Sequence, residues 1–267
     1  MNRLKDKVAI ITGSTGGIGV GIARLYAAEG AQVIVCGRRA EKGQGTVDLI
    51  TAEGGKASFH AMDITIPESI EKLVEDTVNT YGRIDVLVNN AANVGLKDGR
   101  VDEITLEMWD DIFISDIRGP FYVTKCVLPH MRKNPQGGSI VNIGSMAACG
   151  GDLGATAYAC AKAGVDVLTK SVALQYGKDN IRCNCIRPGL IVTPDNEARV
   201  PQALKDIFLS NIEVNRYGCP EDIGHACVFF GSDESTYVSG QIITIDGGMN
   251  SHAPTVAQFR AMGSRTW

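Results

Sequence analysis

The first thirty residues constrain this chain most. Lys7-Val8-Ala9-Ile10-Ile11-Thr12 is a short apolar run; Gly13-Ser14-Thr15-Gly16-Gly17-Ile18-Gly19 follows, then a helix-forming stretch to Glu29 closed by Gly30. The pattern predicts a buried strand, a glycine turn and a helix in direct succession. Such a turn needs glycine for two reasons: the backbone bends sharply, and an anion must approach where a Cβ would collide. Amides at the helix start then face that negative charge. The alternation continues along the chain. Strands are predicted at 7–12, 32–36, 56–61, 84–89, 139–143, 181–186 and 241–245. Helices are predicted at 17–29, about 40–53, 67–81, about 105–132, about 156–177, about 201–212 and 220–230. Runs such as Ile84-Asp85-Val86-Leu87-Val88 are apolar almost throughout, as in a parallel sheet covered on both faces. The expected fold is α/β: a doubly wound, parallel, seven-stranded, Rossmann-like sheet in one domain over 1–250, with a tail over 251–267.

In such a sheet the ligand sits beyond the carboxyl ends of the strands. Polar residues and glycines gather at those ends. Gly13 to Gly19 follow the first strand, Arg38 and Arg39 the second, Asp63 the third, Asn89-Asn90-Ala91 the fourth, Ser145 the fifth and Pro188-Gly189 the sixth. The glycine spacing, Gly13-x-x-x-Gly17-x-Gly19, is not G-x-G-x-x-G, and no Lys-Ser/Thr follows as a triphosphate loop would require. Further along, Tyr158 and Lys162 are spaced to share one face of a helix. A phenol beside an ammonium gives up its proton more readily. Alone, Tyr-x-x-x-Lys also reads as an ordinary helix face; its placement after Ser145, at this end of the sheet, gives it chemical meaning.

A net charge of −4 offers no basic face to nucleic acid or to an anionic membrane. No apolar run reaches the length of a membrane span, and Met1-Asn2-Arg3-Leu4-Lys5-Asp6 has no apolar leader, so the expectation is a cytoplasmic protein. Eight cysteines are scattered through the chain. Cys183-Asn184-Cys185 puts two thiols on one side of a strand, but no second pair or histidine cluster joins them. Structural thiols in a reducing compartment are expected, with no metal site.

Taken together, these segments resemble the short-chain dehydrogenase/reductase family over about residues 5–250. The resemblance is carried by Thr12-Gly13-Ser14-Thr15-Gly16-Gly17-Ile18-Gly19, Asp63-Ile64, Asn89-Asn90-Ala91, Ser145 with Tyr158-x-x-x-Lys162, and Pro188-Gly189 followed by Thr193. It implies hydride transfer between a nicotinamide cofactor and a secondary alcohol or ketone. Tyr158 would be the acid/base, Ser145 would hydrogen-bond the substrate oxygen, and Lys162 would activate Tyr158 and hold the nicotinamide ribose. Gly13, Ser14, Gly17, Ile18 and Gly19 would form the nucleotide turn. Asp63 and Ile64 would meet the adenine, Asn90 the ribose, and Ile191 and Thr193 the carboxamide. Two positions depart from the family pattern. Ala92 replaces the glycine after Asn-Asn-Ala, and Asp116 replaces the helical asparagine that anchors a proton-relay water. Asp116 as carboxylate acceptor still serves that relay, at the cost of a negative charge near the phenol.

Cofactor, substrate and assembly complete the expectation. No carboxylate ends the second strand, where Arg38 and Arg39 suit the 2′-phosphate of NADP; NAD stays an alternative, as does a merely solvated helix start for these arginines. Leu190 to Tyr217, about 190–217, is the family's lid. Its Ile191, Val192, Val200, Leu204, Ile207, Phe208, Leu209 and Ile212 either line an apolar pocket or form the buried face of a lid helix. The tail, with Phe259, Met262 and Trp267, either covers a site or is a frayed terminus. An apolar lid and aromatic tail point to a bulky apolar substrate such as a steroid or bile-acid hydroxyl. The alternatives are a 3-oxoacyl thioester reductase, a sugar or polyol dehydrogenase, and a catalytically idle nucleotide-binding regulator. Relatives of this kind commonly form homotetramers through the two long helices near 105–132 and 156–177.

Overall fold

Seven strands and nine helices alternate among the residues that the computed structural model describes: 2–92, 97–198 and 200–263. The strands are β1 (Val8–Thr12), β2 (Gln32–Gly37), β3 (Lys56–Ala61), β4 (Val86–Asn89), β5 (Gly138–Ile143), β6 (Ile181–Pro188) and β7 (Ile242–Ile245). The helices are α1 (Gly17–Ala28), α2 (Ala40–Ala52), α3 (Pro67–Tyr81), α4 (Leu106–Phe113), α5 (Gly119–Met131), α6 (Thr156–Tyr176), α7 (Gln202–Asn211), α8 (Pro220–Gly231) and α9 (Val256–Ala261). One sheet runs in the order β3-β2-β1-β4-β5-β6-β7, and every pairing is parallel. The order reverses between β1 and β4, so the two chain segments leaving those strands diverge and open a crevice.

The apolar runs explain the layers. In β1, Ala9 and Ile11 face one core with Ile22, Tyr26, Ile223 and Phe230 from α1 and α8. Val8 and Ile10 face the other, with Ile70 and Leu73 of α3 and Val123 and Val127 of α5. Both faces of the strand are therefore covered, which is why it reads as continuous hydrophobicity rather than alternation. Helix α3 shows the complementary rule. Ile70, Leu73, Val74 and Thr77 bury one stripe, Pro67 opens the first turn, and Gly82, at φ +76°, ends the helix in a conformation that suits glycine.

The single long helix expected over 105–132 is two helices joined by a π-helical turn, Ile114–Arg118. The sequence Ile114-Ser115-Asp116-Ile117 contains no helix breaker, so nothing local announces the wider turn. Among the described residues no helix is long and apolar enough to cross a membrane.

Candidate active site

The glycine turn is shaped by what surrounds it. Gly13 has φ +67°, and a Cβ there would stand 2.8 Å from the Ala91 Cα. A Cβ on Gly19 would stand 2.5 Å from the Gly13 carbonyl and 2.7 Å from Asn90 Nδ2, so this glycine serves helix-against-turn packing. Gly17 opens α1 at φ +54° with nothing near its missing side chain. The turn is clamped across the switch point. Thr12 Oγ1 accepts from the Asn90 and Ala91 amides at 2.9 Å each, while Asn90 Nδ2 donates to the Thr12 and Gly13 carbonyls at 2.9 and 3.2 Å. Ser14 does not reach the crevice. It is fully buried, its hydroxyl donating to Ile11 O at 2.6 Å and accepting from the Cys36 amide at 3.1 Å, so it ties β1 to β2 instead of facing a nucleotide.

A cavity of about 500 Å³ opens beside this turn. Gly13, Gly17, Ile18, Arg38, Arg39, Asp63, Ile64, Asn90, Ser145, Tyr158, Lys162, Ile191 and Thr193 all border it, whereas Ser14, Gly19 and Asp116 do not. A dinucleotide fits these residues: there is open space where a Gly17 side chain would stand, and the first amide of α1 already holds an anionic group, the Asp195 carboxylate. Arg38 and Arg39 are exposed at the end of β2. The Asp63 carboxylate is engaged locally, accepting from the Thr65 amide at 2.9 Å and its hydroxyl at 2.8 Å.

The opposite wall carries the ionisable groups. Tyr158 and Lys162 share one face of α6, with the Lys162 ammonium 5.5 Å from the centre of the Tyr158 ring. The ammonium donates to the Ile143 carbonyl at the end of β5 (3.3 Å) and lies 3.3 Å from Asp116 Oδ1. Both partners are almost wholly buried, at 4% and 1% side-chain exposure. A cation taken so far from water needs a counter-charge, and the carboxylate supplies it. Asp116 sits in the π turn, and its other oxygen accepts from Ser115 Oγ at 2.6 Å. Thus Asp116 meets Lys162 directly, where the expectation was an indirect link. Ser145 caps a short 3₁₀ turn, Met146–Cys149, its Oγ accepting from the Ala147 amide at 3.1 Å.

Two aspartates joined to this site escaped the sequence reading. Asp98 caps α6: its carboxylate accepts from the Ala157 amide at 3.2 Å and from the Tyr158 amide at 2.9 Å. Asp195, past Thr193, reaches back over the glycine turn. Its Oδ2 accepts from the Gly17 amide at 3.2 Å and its Oδ1 lies 3.2 Å from Lys42 Nζ. The Lys42 ammonium, helped by the Gly17 amide and Arg39, holds this carboxyl below the usual carboxylate range. These contacts join residues far apart in the chain, and no local motif marks either aspartate.

For the lid and the tail, each open to two readings in the sequence, the structure shows the following. Helix α7 buries no residue and its Leu204 and Ile207 are exposed, whereas Ile191 and Ile212, on either side of it, are buried. The lid is held at its ends. Ile191 bridges to Gly218, and Asn196 ties the turn through the Thr193 amide and the Ile191 carbonyl. The described tail is not frayed: it forms α9 and docks on the lid. Arg260 pairs with Glu213, and His252 Nε2 lies 2.8 Å from the Asn211 carbonyl. Trp267 lies outside the described residues. All eight cysteines are free thiols, with Cys36, Cys183, Cys185 and Cys227 buried and Cys149 and Cys160 exposed.

A family model described as enoyl-(acyl carrier protein) reductase matches residues 13–250. The chain is 40% identical to a 3-oxoacyl-[acyl-carrier-protein] reductase, FabG, of Thermotoga maritima, over 92% of this chain and 99% of that protein. It is 37% identical to a 7alpha-hydroxysteroid dehydrogenase of Clostridium sardiniense, over 97% of this chain and 99% of that one. A solved 7 alpha-hydroxysteroid dehydrogenase complexed with NADH and 7-oxo glycochenodeoxycholic acid superposes with a TM-score of 0.87 at 34% identity, covering 92% of this chain and 96% of that one. The seven-stranded parallel sheet, the glycine turn at its switch point and these likenesses agree: the chain belongs to the short-chain dehydrogenase/reductase family, NAD(P)-dependent enzymes acting on CH–OH and ketone groups.

Proposed function

We propose that the protein is an NADP(H)-dependent dehydrogenase/reductase that interconverts a ketone and a secondary alcohol on a bulky apolar substrate of the steroid or bile-acid type. One observation carries the chemistry: Ser145, Tyr158 and Lys162 border the same cavity as the glycine turn. In this reading Gly13, Gly17, Ile18 and Asn90 hold the nucleotide's phosphate and ribose side, Asp63 and Ile64 flank its adenine, and Ile191 and Thr193 flank its nicotinamide end. The bound cofactor gives or accepts the hydride. Tyr158 moves the proton: its phenolate takes the carbinol proton in oxidation, and its hydroxyl returns it in reduction. The Ser145 hydroxyl donates to the substrate oxygen as charge grows there. Lys162 places positive charge beside the phenol, and Asp116 is its buried counter-charge.

Two exposed guanidiniums, Arg38 and Arg39, at the end of β2, a strand that itself ends without Asp or Glu, support NADP over NAD. The exposed Leu204 and Ile207 of α7 and the docked α9 support an apolar substrate, as does 37% identity to a hydroxysteroid dehydrogenase. The 40% identity to FabG favours a second reading, a 3-oxoacyl thioester reductase. Initial rates on 7-oxo bile acids and 3-oxoacyl thioesters, each with NADPH and NADH, separate them. The first reading expects higher kcat/KM on the bile acids with NADPH. A lower KM for NAD than for NADP overturns the cofactor assignment, and turnover confined to thioesters overturns the substrate. A cytoplasmic homotetramer completes the proposal. Phe121 of α5 and Val167 and Leu174 of α6 leave apolar surface exposed that an identical subunit would cover, and sedimentation tests the assembly.

A further inference from the structure

We propose that Asp195 is an internal competitor for the nucleotide, a lid carboxylate that occupies an anion seat of the glycine turn and must let go when a phosphate arrives. The proposal needs only that the site takes a nicotinamide dinucleotide; it is independent of the choice between NAD and NADP.

Four observations converge on this carboxylate. The Gly17 amide is the first of α1, where the helix has unsatisfied donors, and it donates to Asp195 Oδ2 at 3.2 Å. A Cβ on Gly16 would stand 2.7 Å from that oxygen, so the missing side chain makes room for it. Two cations converge there as well: Lys42 Nζ lies 3.2 Å from Oδ1, and Arg39 Nη2 would be 3.5 Å from the same Gly16 Cβ position. Finally, Asp195 borders the cavity itself. An amide at a helix start with two cations beside it suits a phosphate, and the lid carboxylate competes for the same donors. Asp195 stands two residues after Thr193, so releasing it frees the segment that would meet the nicotinamide end.

The contact is built to be weak. Lys42 and Asp195 keep 46% and 42% of their side chains exposed. An ion pair this open shifts an equilibrium by at most about fivefold. A phosphate with more charge and more acceptor oxygens displaces it. Afterwards the carboxylate and the phosphate repel each other, which favours release of the nucleotide.

The test is a fluorescence titration of the full-length protein with NADPH and with NADH, at low and high salt, for wild type, Asp195→Asn and Asp195→Glu. Asp195→Asn is expected to tighten both dissociation constants by about fivefold at low salt, with the gain shrinking at high salt. Asp195→Glu is expected to stay near wild type. Unchanged or weaker binding by Asp195→Asn overturns the proposal, weaker binding meaning that Asp195 is a ligand of the cofactor. A gain that ignores salt, or that Asp195→Glu shares, also overturns it. A preference of wild type for NADH bears on the cofactor assignment alone.

Discussion

Two ion pairs mark two regions built on different principles. Lys162 and Asp116, under the cavity wall that carries Tyr158, keep 4% and 1% of their side chains exposed. Arg260 and Glu213, between tail and lid, keep 38% and 40%. The first pair cannot lose a member without stranding a charge in a dry interior. The second can exchange its partner for water at almost no cost. The region assigned to proton transfer is thus fixed by burial, by the carbonyl of Ile143 and by the Asp98 cap on α6. The region assigned to substrate selection rests on surface contacts that leave α7 without a buried residue. One scaffold can therefore keep its chemistry while its lid changes.

Four experiments sharpen this contrast. The largest effect is expected for Tyr158→Phe, which should lower kcat by about 10²–10⁴-fold, the range of a lost acid/base. Its NADPH affinity should hold; retained turnover would remove Tyr158 from the reaction. Next, Asp116→Ala should cost about 3–5 kcal/mol of stability by orphaning the buried ammonium, visible as a lowered denaturant midpoint. Asp116→Asn, whose amide oxygen keeps an acceptor on the ammonium, should fold and stay active, with the acid limb of its oxidation rate profile moved toward lower pH, because a negative charge near the phenol is gone. An unmoved profile would sever Asp116 from the proton path. Arg260→Ala should cost under about 1 kcal/mol and raise KM for the carbon substrate alone; an equal rise for NADPH would show that the two regions are not separable.

The smallest effect is a pH dependence of the tail. The Asn211 and Ala253 carbonyls, one at each ring nitrogen, raise the His252 pKa above its ordinary value, with Glu213 nearby. Tail docking is then fully supported below that ordinary value and weakens as pH rises through the raised one. Amide hydrogens of α9 should exchange faster at alkaline than at acidic pH, after correction for intrinsic rates. Equal protection would show that His252 does not hold the tail.

The sheet was legible because its strands are buried on both faces and leave unbroken apolar runs; the bounds of β3 and α3 are those predicted. The gathering of Ser145, Tyr158 and Lys162 around one cavity was legible because strand ends in a doubly wound sheet converge. What escaped lies in longer-range effects. Ser14 belongs to the glycine turn in sequence, but whether its hydroxyl faces the crevice or the core depends on a neighbouring strand. Asp98 and Asp195 act across 60 and 178 positions of chain. The apolar residues of the lid left two readings open, a pocket lining or a buried helix face, because residue type says nothing of whether a partner surface exists.

The π turn at Ile114–Arg118 has a consequence for how one helical rod can serve two neighbours. Before it, Trp109 and Phe113 stack at 4.5 Å and pack, with Ile112, against Ala157, Ala161 and Tyr158 of α6. After it, Val123, Val127 and Met131 pack into the sheet layer with α3. The wider winding shifts the angular phase of everything downstream, so the two halves need not share one stripe. Asp116 sits at that phase slip, where a side chain can turn toward Lys162 without belonging to either stripe.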